Sequence, residues 1–182
     1  YDSFTRDSAG SFGQGWSFQL RDVDLQTDVD ATGSEEFGTY NPFRAGTRVV
    51  LTLPDGRRVA YTLATTEHRV AGLTYHTPTF TPDAGVDWQL GLDDIKLIRA
   101  GNRLYDLDNS RPYNPTSSEF GEAPFVLTAP DGTVYRIGAS QGVREIVYSD
   151  GVRLAVTDSG IFAPDGASIR TVTDGQGRIA QV

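Results

Sequence analysis

Val49-Val50-Leu51-Thr52-Leu53-Pro54-Asp55-Gly56-Arg57-Arg58-Val59-Ala60-Tyr61-Thr62-Leu63 is the stretch on which the reading of the chain turns. Side chains of an extended strand alternate between its two faces, so Val49, Leu51 and Leu53 share one face, and Val59, Tyr61 and Leu63 share one on the return. Between the two runs stands Pro54-Asp55-Gly56. Asp-Gly between alternating runs signals a hairpin, because the central residues of the favoured tight turn take positive φ, which glycine adopts at no steric cost.

The same device recurs toward the C-terminus. Phe125 and Leu127 lead into Pro130-Asp131-Gly132 and then Val134-Tyr135-Arg136-Ile137. Ile146 and Tyr148 lead into Asp150-Gly151, then Val152, Leu154 and Val156. Ile161-Phe162 leads into Pro164-Asp165-Gly166 and Ile169–Val172, and Asp174-Gly175-Gln176-Gly177 precedes Arg178-Ile179. Asp131, Asp150, Asp165 and Asp174 are spaced by 19, 15 and 9 residues, which fits a repeated hairpin device and argues against identical solenoid rungs.

Elsewhere the pattern is patchier. Trp16, Phe18 and Leu20 alternate with polar residues, as do Trp88, Leu90 and Leu92; Ile95 and Leu97 come next, and Arg99–Asn102 reads as a turn into 103–107. His68 to Asp87 reads as a loop or insertion with short edge strands. No apolar pattern of helical spacing persists for ten residues without Gly or Pro. The expected fold is all-β, with antiparallel hairpins forming an open curved sheet or a β-sandwich-like unit. Its expected organisation is an N-terminal β region over 1–107, a linker or long loop over 108–124, rich in Asn, Ser, Pro and Gly, and Asp-Gly hairpins over 125–182.

With 182 residues the chain can bury a core without staples, and with no cysteine it has neither a disulfide nor a thiolate. Sixteen basic against 24 acidic residues give a net charge of −8, which repels a phosphate backbone, so no nucleic-acid partner is expected. No stretch has the twenty or so apolar residues of a membrane span. The chain opens on Tyr1-Asp2-Ser3 without Met, and is expected to be a segment of a longer polypeptide whose targeting information lies elsewhere.

Polar candidates are few. Asp22, Asp24, Asp28, Asp30 and Glu35 are spaced so that several carboxylates of one loop can converge on Ca²⁺, a hard cation that takes six to eight oxygen ligands. Counted from Asp24, however, the glycine that an EF-hand needs at its sixth position is Val29. A solvated acidic face accounts for the same residues. No cofactor is required, and Ca²⁺ is the one candidate. Asp93-Asp94, Asp106, Asp108 and Asn109 are further oxygen donors, of the kind that strand ends carry anyway. His68 and His76 are the only histidines; they form a metal pair only if a hairpin folds them together, and otherwise read as loop residues. Tyr40, Tyr75 and Tyr113, in poorly patterned stretches, are the candidates for an exposed aromatic surface that stacks on sugar, whereas Trp16 and Trp88 read as core. Asn114-Pro115-Thr116 is disqualified as a glycosylation site by its proline. There is neither a Gly-x-Ser-x-Gly elbow nor a phosphate loop, and no catalytic residue is singled out.

Tyr1-Asp2-Ser3 together with Phe12-Gly13-Gln14-Gly15-Trp16 resembles the segment that precedes the repeats of RHS/YD-repeat proteins. Pro54–Tyr61 and Pro130–Ile137 resemble hairpins of that family. Tyr148-Ser149-Asp150-Gly151-Val152-Arg153-Leu154 is similar to a YD unit with Ser149 where Asp is usual, and Asp174–Ile179 to half of one. The resemblance covers the first twenty or so residues and most of the chain after Pro124. It implies a secreted or cell-surface polypeptide whose β-hairpins build the shell of a polymorphic toxin or toxin complex, this chain being a non-enzymatic part of that wall. Its main partner would then be the rest of the parent polypeptide, through lateral β-pairing. The alternative is a carbohydrate-binding or adhesin-type β-domain that meets a surface glycan or protein.

Overall fold

The computed structural model describes residues 9–10, 13–14, 22–175 and 178–182. The expected strand from Trp16 to Leu20, and with it Phe12 and Gly15-Trp16 of the family-like segment, lies outside the described residues. The fold is all-β, built of antiparallel strands that form a curved, open sheet.

The deciding stretch folds as the alternation predicts. β4 (Arg48–Thr52) and β5 (Arg58–Val70) pair antiparallel, and Val49, Leu51, Val59, Tyr61 and Leu63 are buried. The turn between them differs in type from the two-residue loop that Asp-Gly suggests. Leu53 N–H donates to the Arg57 carbonyl (2.8 Å), Gly56 N–H donates to the Leu53 carbonyl (2.9 Å), and of the loop residues only Gly56 has positive φ, 87°. This is a three-residue loop, a β-turn followed by one left-handed residue. The aspartate suits such a turn, since Asp55 Oδ1 accepts the N–H of Arg57 (3.0 Å), and the fixed φ of Pro54 fits its first corner. Ala129–Thr133, Tyr148–Val152 and Ala163–Ala167 repeat the arrangement bond for bond, with Asp131, Asp150 and Asp165 each accepting the N–H two residues on.

β5 continues far past the core and returns as β6 (Leu73–Pro82), with pairing from Tyr61 opposite Pro82 to Val70 opposite Leu73. This corrects the expectation of a loop with short edge strands after His68. The outer half of the hairpin has no buried face and therefore no apolar alternation; its pairing is carried by β-branched threonines, which suit an extended chain. Six strands in the order β3 (Gln26–Thr27), β4, β5, β6, β8 (Leu97–Ala100), β9 (Arg103–Asp106) make the first sheet.

The second sheet runs β15 (Ser168–Arg170), β14 (Gly160–Phe162), β13 (Arg153–Thr157), β12 (Gly142–Val147), β11 (Val134–Gly138), β10 (Phe125–Thr128), β7 (Gln89–Leu92). From β10 to β15 it is a meander of successive hairpins. β7 breaks the sequence order, since Leu90 and Leu92 pair with Leu127 and Phe125 although β8 and β9 of the other sheet lie between them in the chain. β1 (Ala9–Gly10) pairs with β2 (Gly13–Gln14), and β16 (Val172–Thr173) with β17 (Ile179–Gln181). Two short 3₁₀ turns, Glu35–Phe37 and Ser118–Phe120, are the helical elements among the described residues.

The two sheets share one core. Phe80 lies against Phe125 (6.5 Å between ring centres), Trp88 against Tyr135 (5.7 Å), and the Tyr61 hydroxyl donates to the Trp88 carbonyl (3.1 Å). Sheet membership therefore does not follow the expected division at 108–124: β7 lies before that segment and pairs after it. The segment itself is packed. Tyr113 N–H donates to Leu104 (3.0 Å) and Phe43 N–H to Tyr113 (2.7 Å), so residues 43–44 and 111–113 run along the outer side of β9. No helix among the described residues is long and apolar enough to cross a membrane.

Candidate functional site

The acidic series begins where the chain enters the first sheet, and local partners divide most of it. Asp24 pairs with Arg58 (2.6 Å) and accepts the Gln26 side-chain amide (3.1 Å). Asp28 accepts the Arg48 N–H (2.9 Å) and lies 3.6 Å from the Arg44 guanidinium. Glu35 takes both the N–H and the hydroxyl of Thr32, and the Thr32 N–H foremost holds its carboxyl below the usual range. Asp22 is half-buried and has its own partner; Asp30 is exposed and contributes its carbonyl to the Asn41 amide (2.8 Å). Among the described residues no three His, Asp or Glu are grouped as a metal would need. Asp93 reaches Arg136 (2.8 Å), while Asp106 caps its own turn through Asp108 N–H and Asn109.

A hairpin does bring the two histidines together, on opposite faces. His76 is opposite Glu67, and its Nδ1 is buried without a hydrogen-bond partner among the described residues. His68 is opposite Tyr75; their rings stack at 4.9 Å and 15°, and His68 Nε2 meets the Thr77 hydroxyl at 2.9 Å. From the other neighbour of β6 comes Lys96, the only lysine of the chain, with its ammonium 5.5 Å from the Tyr75 ring centre. Tyr75 is thus flanked by His68 of β5 and by Lys96, the residue just before β8.

The three tyrosines expected on a common surface do not form one. Tyr40 and Tyr75 are half-buried, and Tyr113 is 1 % exposed, edge-on to Phe43 (6.1 Å) and Phe120 (5.1 Å). Tyr113 is therefore a core residue. Its stretch lacks periodicity because it packs as irregular chain along the edge of a sheet, and burial there follows tertiary contact rather than strand alternation.

The exposed apolar residues are more telling. Val156, Ile161 and Ile169 are directly opposite one another on β13, β14 and β15, hence on one face. Their exposure rises along the row from 2 % to 6 % to 48 %. β15 ends the sheet, with no strand beyond it among the described residues. Val152 and Val172 are also exposed. Asp-Gly recurrence pointed to hairpins in this region, but only the register shows that the core row runs uncovered to the edge.

These features define an all-β, hairpin-rich domain. Comparison with family models, with curated proteins and with solved structures finds no match to the chain.

Proposed function

We propose that the chain is a structural β-module of a large secreted or surface polypeptide of the RHS/YD-repeat kind, which extends by lateral strand pairing at β15. The row from Val156 through Ile161 to Ile169 carries this reading: an inner-face stripe that becomes exposed only at the last strand is completed by one more strand. Unpaired N–H and C=O groups on an edge strand are a template for such addition. The four matching Asp-Gly turns support it further, as one hairpin unit used repeatedly.

Light scattering of the isolated chain over a concentration series tests the edge. Self-association is expected, and Ile169→Lys, which places a charge on the edge strand, is expected to suppress it while the melting midpoint stays within a few degrees of the parent. A monomer at high concentration, or association unchanged by Ile169→Lys, would count against lateral pairing at β15.

A further inference from the structure

The backbone bridge between Arg44 and Arg103 sets two arginines directly opposite each other on one face. Like charges so placed repel. Asp28, 3.6 Å from Arg44, offsets one of them, whereas Arg103 has no carboxylate within ion-pair distance among the described residues. Beside the pair lies a pocket of about 200 Å³, whose polar wall comprises Asp30, Asn41, Arg44, Asn102 and Arg103.

The wall is held from behind. Buried Asn114 donates its amide to the Asn41 carbonyl (2.9 Å), the Asn41 amide donates to the Asp30 carbonyl (2.8 Å), and the Asn102 carbonyl accepts the Ala45 N–H (3.2 Å). These bonds occupy backbone groups and the side-chain amides of Asn114 and Asn41. They leave the Asn102 amide, the Asp30 carboxylate and the Arg103 guanidinium without a hydrogen-bond or ion-pair partner among the described residues.

We propose that this pocket binds the carboxylated sugar unit of an acidic polysaccharide, the Arg44–Arg103 pair supplying locally the attraction that the net charge of −8 opposes over the rest of the surface. A guanidinium presents a planar fork of donors that matches a carboxylate, which assigns the acid group to Arg103 and Arg44. Asp30 accepts from sugar hydroxyls, and the Asn102 amide exchanges hydrogen bonds with them. The same Asp30 selects against sulfate and phosphate, whose charge is not confined to the arginine side. The pocket is smaller than those that enclose drug-sized ligands, so it takes a single sugar unit of a chain. The site is independent of the scaffold reading, since it lies on the first sheet, away from β15.

Calorimetric titration of the full chain with trigalacturonate, with neutral galactotriose and with sulfate tests the assignment. Trigalacturonate is expected to bind and the other two not. Arg103 is exposed and has no ion-pair partner among the described residues, so Arg103→Gln is expected to keep the parent melting midpoint and to weaken binding about tenfold or more, the effect of one charge-assisted hydrogen bond. The proposal is overturned by an absence of trigalacturonate binding, by equal binding of galactotriose, by sulfate competing on equal terms, or by undiminished affinity of Arg103→Gln.

Discussion

Gly160 shows how closely strands approach at the thin end of the second sheet. Its φ is 140°, and a Cβ there would lie 2.1 Å from the Ile169 carbonyl oxygen, with the Arg170 Cα at 2.9 Å. Both obstacles are backbone, so no side chain can turn aside. Gly160→Ala is expected to cost on the order of 3 kcal/mol, combining a disfavoured φ with overpacking, read as a lower denaturant midpoint. A loss below about 0.5 kcal/mol, the range of ordinary surface changes, would mean that β14 and β15 do not approach as described. At this scale the sequence was only partly legible. Val49, Leu51, Val59, Tyr61 and Leu63 announced their burial through alternation, because a strand with one covered face must alternate. Tyr113 could not, since its burial comes from Phe43 and Phe120, which belong to other segments of irregular chain. The Arg44–Arg103 pair was equally invisible: a bridge between irregular backbone and an edge strand leaves no local pattern.

Among the elements, the β5–β6 hairpin is the one the sequence misrepresented. Its inner half reads as a strand because it lies on the core, while its outer half has threonines where alternation would have stood. The two-residue loop at its tip has Ala71 at φ 49° and Gly72 at φ 84°. A left-handed conformation costs a residue with a Cβ about 1–2 kcal/mol, and glycine escapes most of that. Ala71→Gly is therefore expected to slow amide exchange in the outer hairpin, by up to roughly tenfold for about 1 kcal/mol of local stabilisation, with little change in the global midpoint. Faster exchange at Val70 and Leu73 would contradict this turn geometry. The Asp-Gly turns were legible as turns but not in type. In all four turns, with Ser149 as with proline before the aspartate, the carboxylate accepts the backbone N–H two residues on, and the glycine alone takes positive φ.

For the whole molecule, acid is the informative perturbant. The Thr32 N–H depresses the Glu35 carboxyl, the Arg48 guanidinium that of Asp83, and the Thr133 N–H that of Asp131; at Asp55, burial pushes upward but the Arg57 N–H and guanidinium outweigh it. A carboxyl whose folded value is depressed stabilises the fold fully above its unfolded value, near 4, and that stability is lost as pH falls through the folded value. Asp55, Asp83 and Asp131 are exposed and Glu35 is half-buried, so each contribution is small and screened by salt. The urea midpoint is expected to hold from neutrality to about pH 5 and to fall below about pH 4, where the unfolded carboxyls take up protons before the folded ones. A midpoint that rises on acidification would show that self-repulsion of the −8 net charge outweighs these pairs.

The position of β7 governs the order in which such a chain can be finished. Leu90 and Leu92 of β7 come before β8 and β9 in the chain but find their neighbours only at Leu127 and Phe125, after β8, β9 and the packed segment beyond them have been laid down. During synthesis from the N-terminus, that strand waits without its strand partner while the intervening chain is made. Bringing its partner back closes a long loop, which costs entropy before any contact repays it. The late hairpins from β10 onward can each form locally as they emerge. The slow step therefore falls in the middle of the chain, and once Phe125 docks on Phe80, both sheets become committed together.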